Sequence, residues 1–211
     1  MFRYIVIEGP IGVGKTSLTK YLAKEFNARL VLEKPEENPF LPQFYQDRKK
    51  YAFQTQIFFL MNRFRQQREM AQLELFNQVT LCDYLFAKDR IFASLNLDDD
   101  ELALYEQIFN LVSGQIPSPD LVLFLQARPE VLLHRIKSRN ISYEKEIDLE
   151  YLKSLTEAYN YYFFHFDQTP LLVVDTSEID LVNRREDFDQ LIREIKQMKK
   201  GTWYFIPKKS K

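Results

Sequence analysis

The sequence predicts an α/β chain, a three-layer sandwich in which a five-stranded parallel sheet is flanked by helices on both faces. Short apolar, β-branched runs alternate with stretches of helical spacing along the chain, which is the pattern of a parallel sheet with crossover helices. The first apolar run passes straight into a glycine-rich loop and then into a helical stretch. The first three runs end at Gly9, Glu33 and Asp83, and in such sheets ligands gather at the carboxyl ends of the strands.

Each element follows from its own residues. Residues 2–7 are apolar and β-branched, a buried strand, and residues 15–26 take helical spacing through Leu18, Tyr21, Leu22 and Phe26. Residues 29–32 form a short second strand that ends at Glu33. The stretch Glu37-Asn-Pro-Phe is a turn, and Pro39 opens another helical stretch. Residues 49–75 contain neither Gly nor Pro, which predicts one long helix with Phe53, Ile57, Leu60 and Phe64 as its apolar stripe. Residues 79–82 are the third strand. The acidic run 98–101 reads as a helix cap, because negative charge is favoured at the positive end of the helix dipole. That helix continues to Val112 and stops at Gly114. Residues 120–126 are the fourth strand, 129–139 and 149–166 helices, 171–174 the fifth strand and 180–199 the last helix. The basic tail, about 200–211, reads as a frayed, solvated end. The 211 residues fit one domain, 1–211, long enough to bury a core.

Composition narrows the function classes. With 45% apolar and 28% charged residues and a net charge of −1, the chain is not built to coat a nucleic-acid polymer or an anionic membrane. Its longest apolar runs, 57–61 and 121–125, are too short to span a bilayer. The first residues lack a signal-peptide layout, and the single Cys82 excludes an internal disulfide and a cysteine metal cluster. A cytoplasmic protein is expected. Three of the five glycines fall within six residues, whereas 18 Phe and 12 Tyr provide a bulky core and a pocket for a flat ligand.

Gly9 to Thr16 match G-x-x-x-x-G-K-[ST], with Gly9 first and Gly14 sixth. Glycines at 9, 12 and 14 let backbone N–H groups curl around phosphate oxygens. Lys15 reaches the outer phosphates, the Thr16 hydroxyl ligates Mg²⁺, and Ser17 follows at the positive start of the helix. The fold class is therefore a P-loop sandwich. The strings N-K-x-D and D-x-x-G, which a GTP switch would use, do not occur. A kinase needs a base to accept the acceptor's proton, and Glu33 at the end of the second strand suits that role.

EGPIGVGKTSL, the glutamate after the second strand, NPFLPQFY and FQTQIFFLMNRFRQ together resemble the deoxynucleoside kinases, nearest to the bacterial deoxyadenosine/deoxycytidine kinase branch. The resemblance continues through AKDRIFASL, PDLVLFL, RPEVLLHRIKSR and DLEYL, to about Asp175. It implies an Mg²⁺-dependent transfer of the γ-phosphoryl of ATP to the 5′-hydroxyl of a deoxynucleoside, deoxyadenosine or deoxycytidine ahead of thymidine, by a homodimer. Position by position it implies Glu33 as the general base, Asp83 with Thr16 at the metal, and Gln56 pairing with the edge of the base. It also implies an Arg63–Asp89 ion pair completing that edge, and Tyr45 with Glu144 holding the sugar 3′-hydroxyl. Arg135 and Arg139 become arginines of a lid, about 135–147, that closes over the transferring group.

The family usually reads Glu/Asp-Arg-Ser after the third strand, where this chain reads Asp83-Tyr84-Leu85. Tyrosine supplies no permanent positive charge. Lys88, one helical turn beyond Tyr84, is expected to supply it, since positions four apart share a helix face. The lid also has one arginine fewer, with Asn140 or Ile141 in its place. Two other readings stay open. A thymidylate-type monophosphate kinase would grip the acceptor's phosphate with Arg63, Arg65 or Arg68, and a non-catalytic nucleotide-binding protein would explain Tyr84.

Overall fold

The structure, a computed structural model, describes residues 2–73, 79–178, 181 and 184–206. Its centre is a parallel sheet of six strands in the order β2-β3-β1-β4-β5-β6. The strands are β1 (Tyr4–Glu8), β2 (Arg29–Val31), β3 (Thr80–Cys82), β4 (Leu121–Gln126), β5 (Leu171–Asp175) and β6 (Thr202–Phe205). β1 and β3 are buried throughout and β4 in all but its last residue, as expected for strands covered on both faces by helices.

The crossovers supply α1 (Lys15–Phe26), α2 (Leu41–Gln46), α3 (Arg48–Leu73), α4 (Lys88–Asn96), α5 (Asp99–Ser113), α6 (Pro129–Arg139), α7 (Leu149–Phe164) and α8 (Arg185–Gln197). Short 3-10 turns occupy Pro35–Glu37 and Ser142–Glu146. α5 carries the capping box its acidic run predicts: Asp98 accepts from the Glu101 backbone N–H at 2.9 Å and Glu101 accepts from that of Asp98 at 3.3 Å. Asp148 caps α7 from one side, accepting from the Tyr151 N–H at 2.7 Å.

Apolar side chains from both faces of the sheet form one large core. Phe124 on β4 stacks on Phe163 of α7 with centroids 4.1 Å apart. A second, smaller cluster lies between α3, α4 and α5, built on Leu60, Phe86, Ala93, Tyr105 and Phe109. Among the described residues no helix is long and apolar enough to cross a membrane.

The structure departs from expectation at the end of the chain. Residues 202–205 of the expected frayed tail are β6, in register beside β5 from Leu171↔Thr202 to Val174↔Phe205. Thr-Trp-Tyr-Phe is a β-branched and aromatic run, masked in the sequence by the lysines around it. Residues 207–211 of that tail, 74–75 of the long helix and 180, 182 and 183 of the expected last helix lie outside the described residues.

Candidate active site

The carboxyl ends of β1, β2 and β3 converge, and the loops leaving them build the site. After Glu8 the chain turns through residues 9–14 into α1. Gly9 has φ +152, and a Cβ there would come within 2.4 Å of the Leu125 carbonyl on β4. Gly12, at φ +86, would put a Cβ 2.8 Å from Ile136 Cγ1 and 2.9 Å from the Leu132 carbonyl of α6. At these two positions the loop is wedged against β4 and α6 too tightly for a side chain. Lys15 folds over it, its Nζ donating to the carbonyls of Gly9 at 2.6 Å and Pro10 at 3.1 Å. Burial, and then the charge of Lys88, lower the Lys15 pKa to about 8. Ser17 is exposed in the first turn of α1 and lies outside the cavity lining.

Glu8 is a buried carboxylate that the sequence reading missed. Its Oε1 accepts from the Gly9 N–H at 2.7 Å and from the Tyr159 hydroxyl at 3.1 Å, and its Oε2 accepts from the Leu85 N–H at 2.6 Å. It ties the start of the phosphate loop to the segment after β3. A charged residue directly continuing a buried apolar strand into a glycine was the available signal.

Asp83 joins the other strand ends. Its Oδ2 accepts from the Thr16 hydroxyl at 2.5 Å and its Oδ1 from the Glu33 N–H at 2.7 Å, and burial raises its carboxyl above the usual range. Mg²⁺ prefers oxygen ligands and takes one or two from protein, with phosphate and water completing the shell. The touching Thr16 and Asp83 oxygens fit that demand. Among the described residues no three His, Cys, Asp or Glu side chains cluster to hold a metal.

A cavity of about 150 Å³ runs from Gly12, Lys15 and Thr16 past Glu33 and Lys88 to Gln56 and Arg63, with Tyr45, Arg139 and Glu144 also in its wall. Gln56 and Arg63 share one face of α3. The Gln56 amide donates to the Asp89 carbonyl at 2.8 Å and also to the Asp89 carboxylate. Arg63 Nη1 lies 2.8 Å from Asp89 Oδ1, its Nε donates to Glu33 Oε1 at 2.8 Å, and its Nη2 bonds to the same oxygen. The guanidinium lies 4.8 Å from the Phe59 ring centroid. Asp89 stands behind the wall, pushed up to about 6 by burial against the opposing charge of Arg63.

Lys88 Nζ reaches the other Glu33 oxygen at 2.8 Å. Burial alone would raise the Glu33 carboxyl, but Arg63 and Lys88 hold it far below the usual carboxylate range. The geometry that brings Lys88 here differs from the expected one. Residues 83–87 are not helical, and Lys88 opens α4, so Tyr84 and Lys88 do not share a helix face. Tyr84 turns inward instead: it is fully buried, and its hydroxyl donates to Gln66 Oε1 at 3.0 Å.

The lid region separates the two expected arginines. Arg139 lines the cavity, and its Nη2 lies 3.1 and 3.2 Å from the two oxygens of Glu144. Arg135 is not in the cavity wall; it donates to the Thr176 hydroxyl at 3.1 Å, the Thr176 carbonyl at 2.7 Å and the Val13 carbonyl at 3.3 Å. Tyr45 stacks on Tyr143 with centroids 6.1 Å apart, and both rings line the cavity. Arg65 and Arg68 face a separate outer groove with Phe58 and Met61.

Comparison with known proteins gives concordant results. The family model described as "Deoxynucleoside kinase" matches residues 5–200. The chain is 32% identical over 200 residues to the deoxyguanosine kinase of Bacillus subtilis, covering 92% of this chain and 97% of that one. It is 27% identical to the deoxyadenosine/deoxycytidine kinase of the same organism, covering 90% of each chain. It superposes on deoxyadenosine kinase from M. mycoides, solved with dCMP and dCDP, with a TM-score of 0.81 at 28% identity, covering 92% of this chain and 99% of that one.

Proposed function

The chain belongs to the deoxynucleoside kinase family and is a phosphotransferase; on that premise we propose that it moves the γ-phosphoryl of ATP, with Mg²⁺, to the 5′-hydroxyl of a deoxynucleoside. Deoxyadenosine or deoxycytidine is preferred to thymidine. The observation that carries this reading is a single cavity that has Lys15 and Thr16 in its wall at one end, Gln56 and Arg63 at the other, and Glu33 between them.

The cradle of Gly9, Gly12 and Gly14 with Lys15 takes the phosphates of ATP. When bound, Mg²⁺ neutralises charge on the outer phosphates, and Thr16 and Asp83 are the residues that would hold it. Glu33 accepts the proton of the 5′-hydroxyl. Its low proton affinity suits a loose transition state, which makes small demands on the nucleophile's base. Lys88, 2.8 Å from Glu33, provides the positive charge that Tyr84 cannot, and Arg139 provides a second from the lid. Arg135, fixed at Val13 and Thr176, acts from the donor side of the phosphate loop.

At the far end, the Gln56 amide offers a donor and an acceptor, Arg63 only donors and ionised Asp89 only acceptors. An exocyclic amino group can donate to Asp89 Oδ2, the oxygen that neither Gln56 nor Arg63 engages, whereas a thymine carbonyl cannot. Tyr45 and Glu144 meet the sugar 3′-hydroxyl. The remote position of Arg65 and Arg68, and the pairing of Arg63 with Glu33 and Asp89, disfavour a monophosphate acceptor. The functional unit is a homodimer formed through the outer apolar faces of α3 and α5, where Met61 is 45%, Leu104 47% and Leu111 76% exposed.

The test is ADP release from Mg·ATP with each of the four deoxynucleosides, products resolved chromatographically. A 5′-monophosphate from an amino-bearing base, at a rate well above that for thymidine, is the expected result. Equal turnover of thymidine would remove Asp89 from base selection. Product only from a deoxynucleoside monophosphate would overturn the reading itself.

A further inference from the structure

We infer that Glu144 is a positioning residue that holds Arg139 away from the phosphate cradle until an acceptor sugar is seated, and so suppresses hydrolysis of ATP by water. The inference rests on the kinase reading above and adds a regulatory contact to the same site.

One arginine nitrogen meets both oxygens of the carboxylate, at 3.1 and 3.2 Å. The pairing is unequal: the Glu144 side chain is 10% exposed and that of Arg139 41%. A nearly buried carboxylate needs a partner, because desolvation without one is costly, whereas the half-exposed guanidinium is also hydrated. Burial raises the Glu144 carboxyl, and two cations oppose that effect: Arg139, and then Lys15 of the cradle. The single negative charge of Glu144 therefore acts on both cations that an ATP phosphate would engage.

The connection between them suits a contact that opens. α6 ends at Asn140, which is left-handed at φ 52, and the 3-10 turn Ser142–Glu146 follows directly. The ion pair closes this short segment without a long lever. Glu144 also shares the cavity wall with Tyr45. A sugar hydroxyl arriving there donates to the carboxylate and satisfies it without bringing a positive charge. The carboxylate then no longer needs the guanidinium, and Arg139 is released toward the phosphates. With no acceptor, Arg139 stays paired, and the charge stabilisation that a water attack would also need is withheld.

The experiment measures ADP release from Mg·ATP without any nucleoside, for the wild type, Glu144→Gln and Glu144→Asp. In this side reaction the water oxygen bonds to the γ-phosphorus, the β–γ bridging P–O bond breaks, and ADP, phosphate and a proton are released. Glu144→Gln is expected to raise acceptor-free release about tenfold or more and to tighten binding of a non-hydrolysable ATP analogue. Glu144→Asp, which keeps the charge but shortens the reach to Arg139, is expected to raise release less than Glu144→Gln does. Adding Arg139→Met to Glu144→Gln should return the release to the low value. A simple loss of structure would weaken analogue binding, so it is not mistaken for the effect. Unchanged or reduced release by Glu144→Gln, or release that stays high in the double variant, overturns the inference while leaving the kinase reading intact. A wild type whose ADP release no nucleoside stimulates overturns both.

Discussion

The phosphate cradle and the acceptor end share one cavity, but they are built by opposite means. The cradle is local: residues 9–16 wedge between β4 and α6, and Gly9 and Gly12 hold positive-φ conformations that leave no room for a Cβ. Its polar groups are largely main-chain. The acceptor end is assembled from side chains far apart in sequence, with Arg63 of α3 bridging Glu33 after β2 and Asp89 of α4. Its integrity rests on buried charges that satisfy one another. Removing a cradle side chain should therefore reduce rate and spare stability, whereas removing one from the acceptor network should reduce both.

The strongest test on the cradle side is Lys15→Met. Turnover should fall by roughly 10³-fold, the scale of losing a cation at a transferring phosphoryl group, with little change in the denaturation midpoint. A large stability loss would break the contrast. On the acceptor side, Arg63→Met should cost roughly 3–5 kcal/mol, because it leaves buried Asp89 without its counter-ion, read as a lower urea midpoint at unchanged slope. Arg63→Lys should not restore activity, since an ammonium cannot reproduce the fork that joins Glu33 to Asp89.

Lys88→Met probes the junction. It should lower turnover by roughly 10²-fold while an ATP analogue still binds, and unchanged turnover would remove Lys88 from the reaction. The pH profile sharpens the comparison without mutation. Asp89 gains a proton as pH falls through about 6 and then presents a donor where the ionised carboxylate only accepts. Lys15 loses its proton as pH rises through about 8 and with it the charge. At saturating ATP, kcat/KM for the acceptor should show the acid limb; at saturating acceptor, kcat/KM for ATP should show the basic limb. The reverse assignment would undo the division of labour. The smallest effect is expected for Tyr84→Phe, about 1 kcal/mol of stability from the lost Gln66 hydrogen bond with turnover retained.

This contrast also explains what could be read from the chain. The cradle and strands β1 to β5 were legible because their signals are local: a glycine spacing, an apolar run, a helical period. Gln56 and Arg63 were legible as one helix face, but their joint hold on Asp89 and Glu33 depends on how three connections fold back on the sheet. Lys88 was expected at the site for a reason the fold does not supply, since residues 83–87 are not helical; the contact arises because α4 starts opposite the end of β2. Arg135 and Arg139 are four apart on α6, yet only Arg139 enters the cavity wall. Glu8 was overlooked because its position between an apolar strand and a glycine hints at burial but not at the three donors that hold it, which come from distant parts of the fold as well as from Gly9. β6 was overlooked because a four-residue edge strand carries little periodicity.

The strand order also governs how the cradle comes into being. β1 is made first but lies in the middle of the sheet, paired with β3 from Tyr4↔Thr80 and with β4 from Ile5↔Leu121. Every ladder in the described sheet is parallel, so no hairpin gives β1 an early partner. At about 5–20 residues per second of synthesis, its buried Tyr-Ile-Val-Ile segment waits for neighbours that do not yet exist. The wall against Gly9 is the carbonyl of Leu125, and the wall against Gly12 comes later still. The nucleotide grip is thus encoded in the first sixteen residues but takes shape only after well over half the chain has left the ribosome, and until then an apolar strand must be kept from other chains.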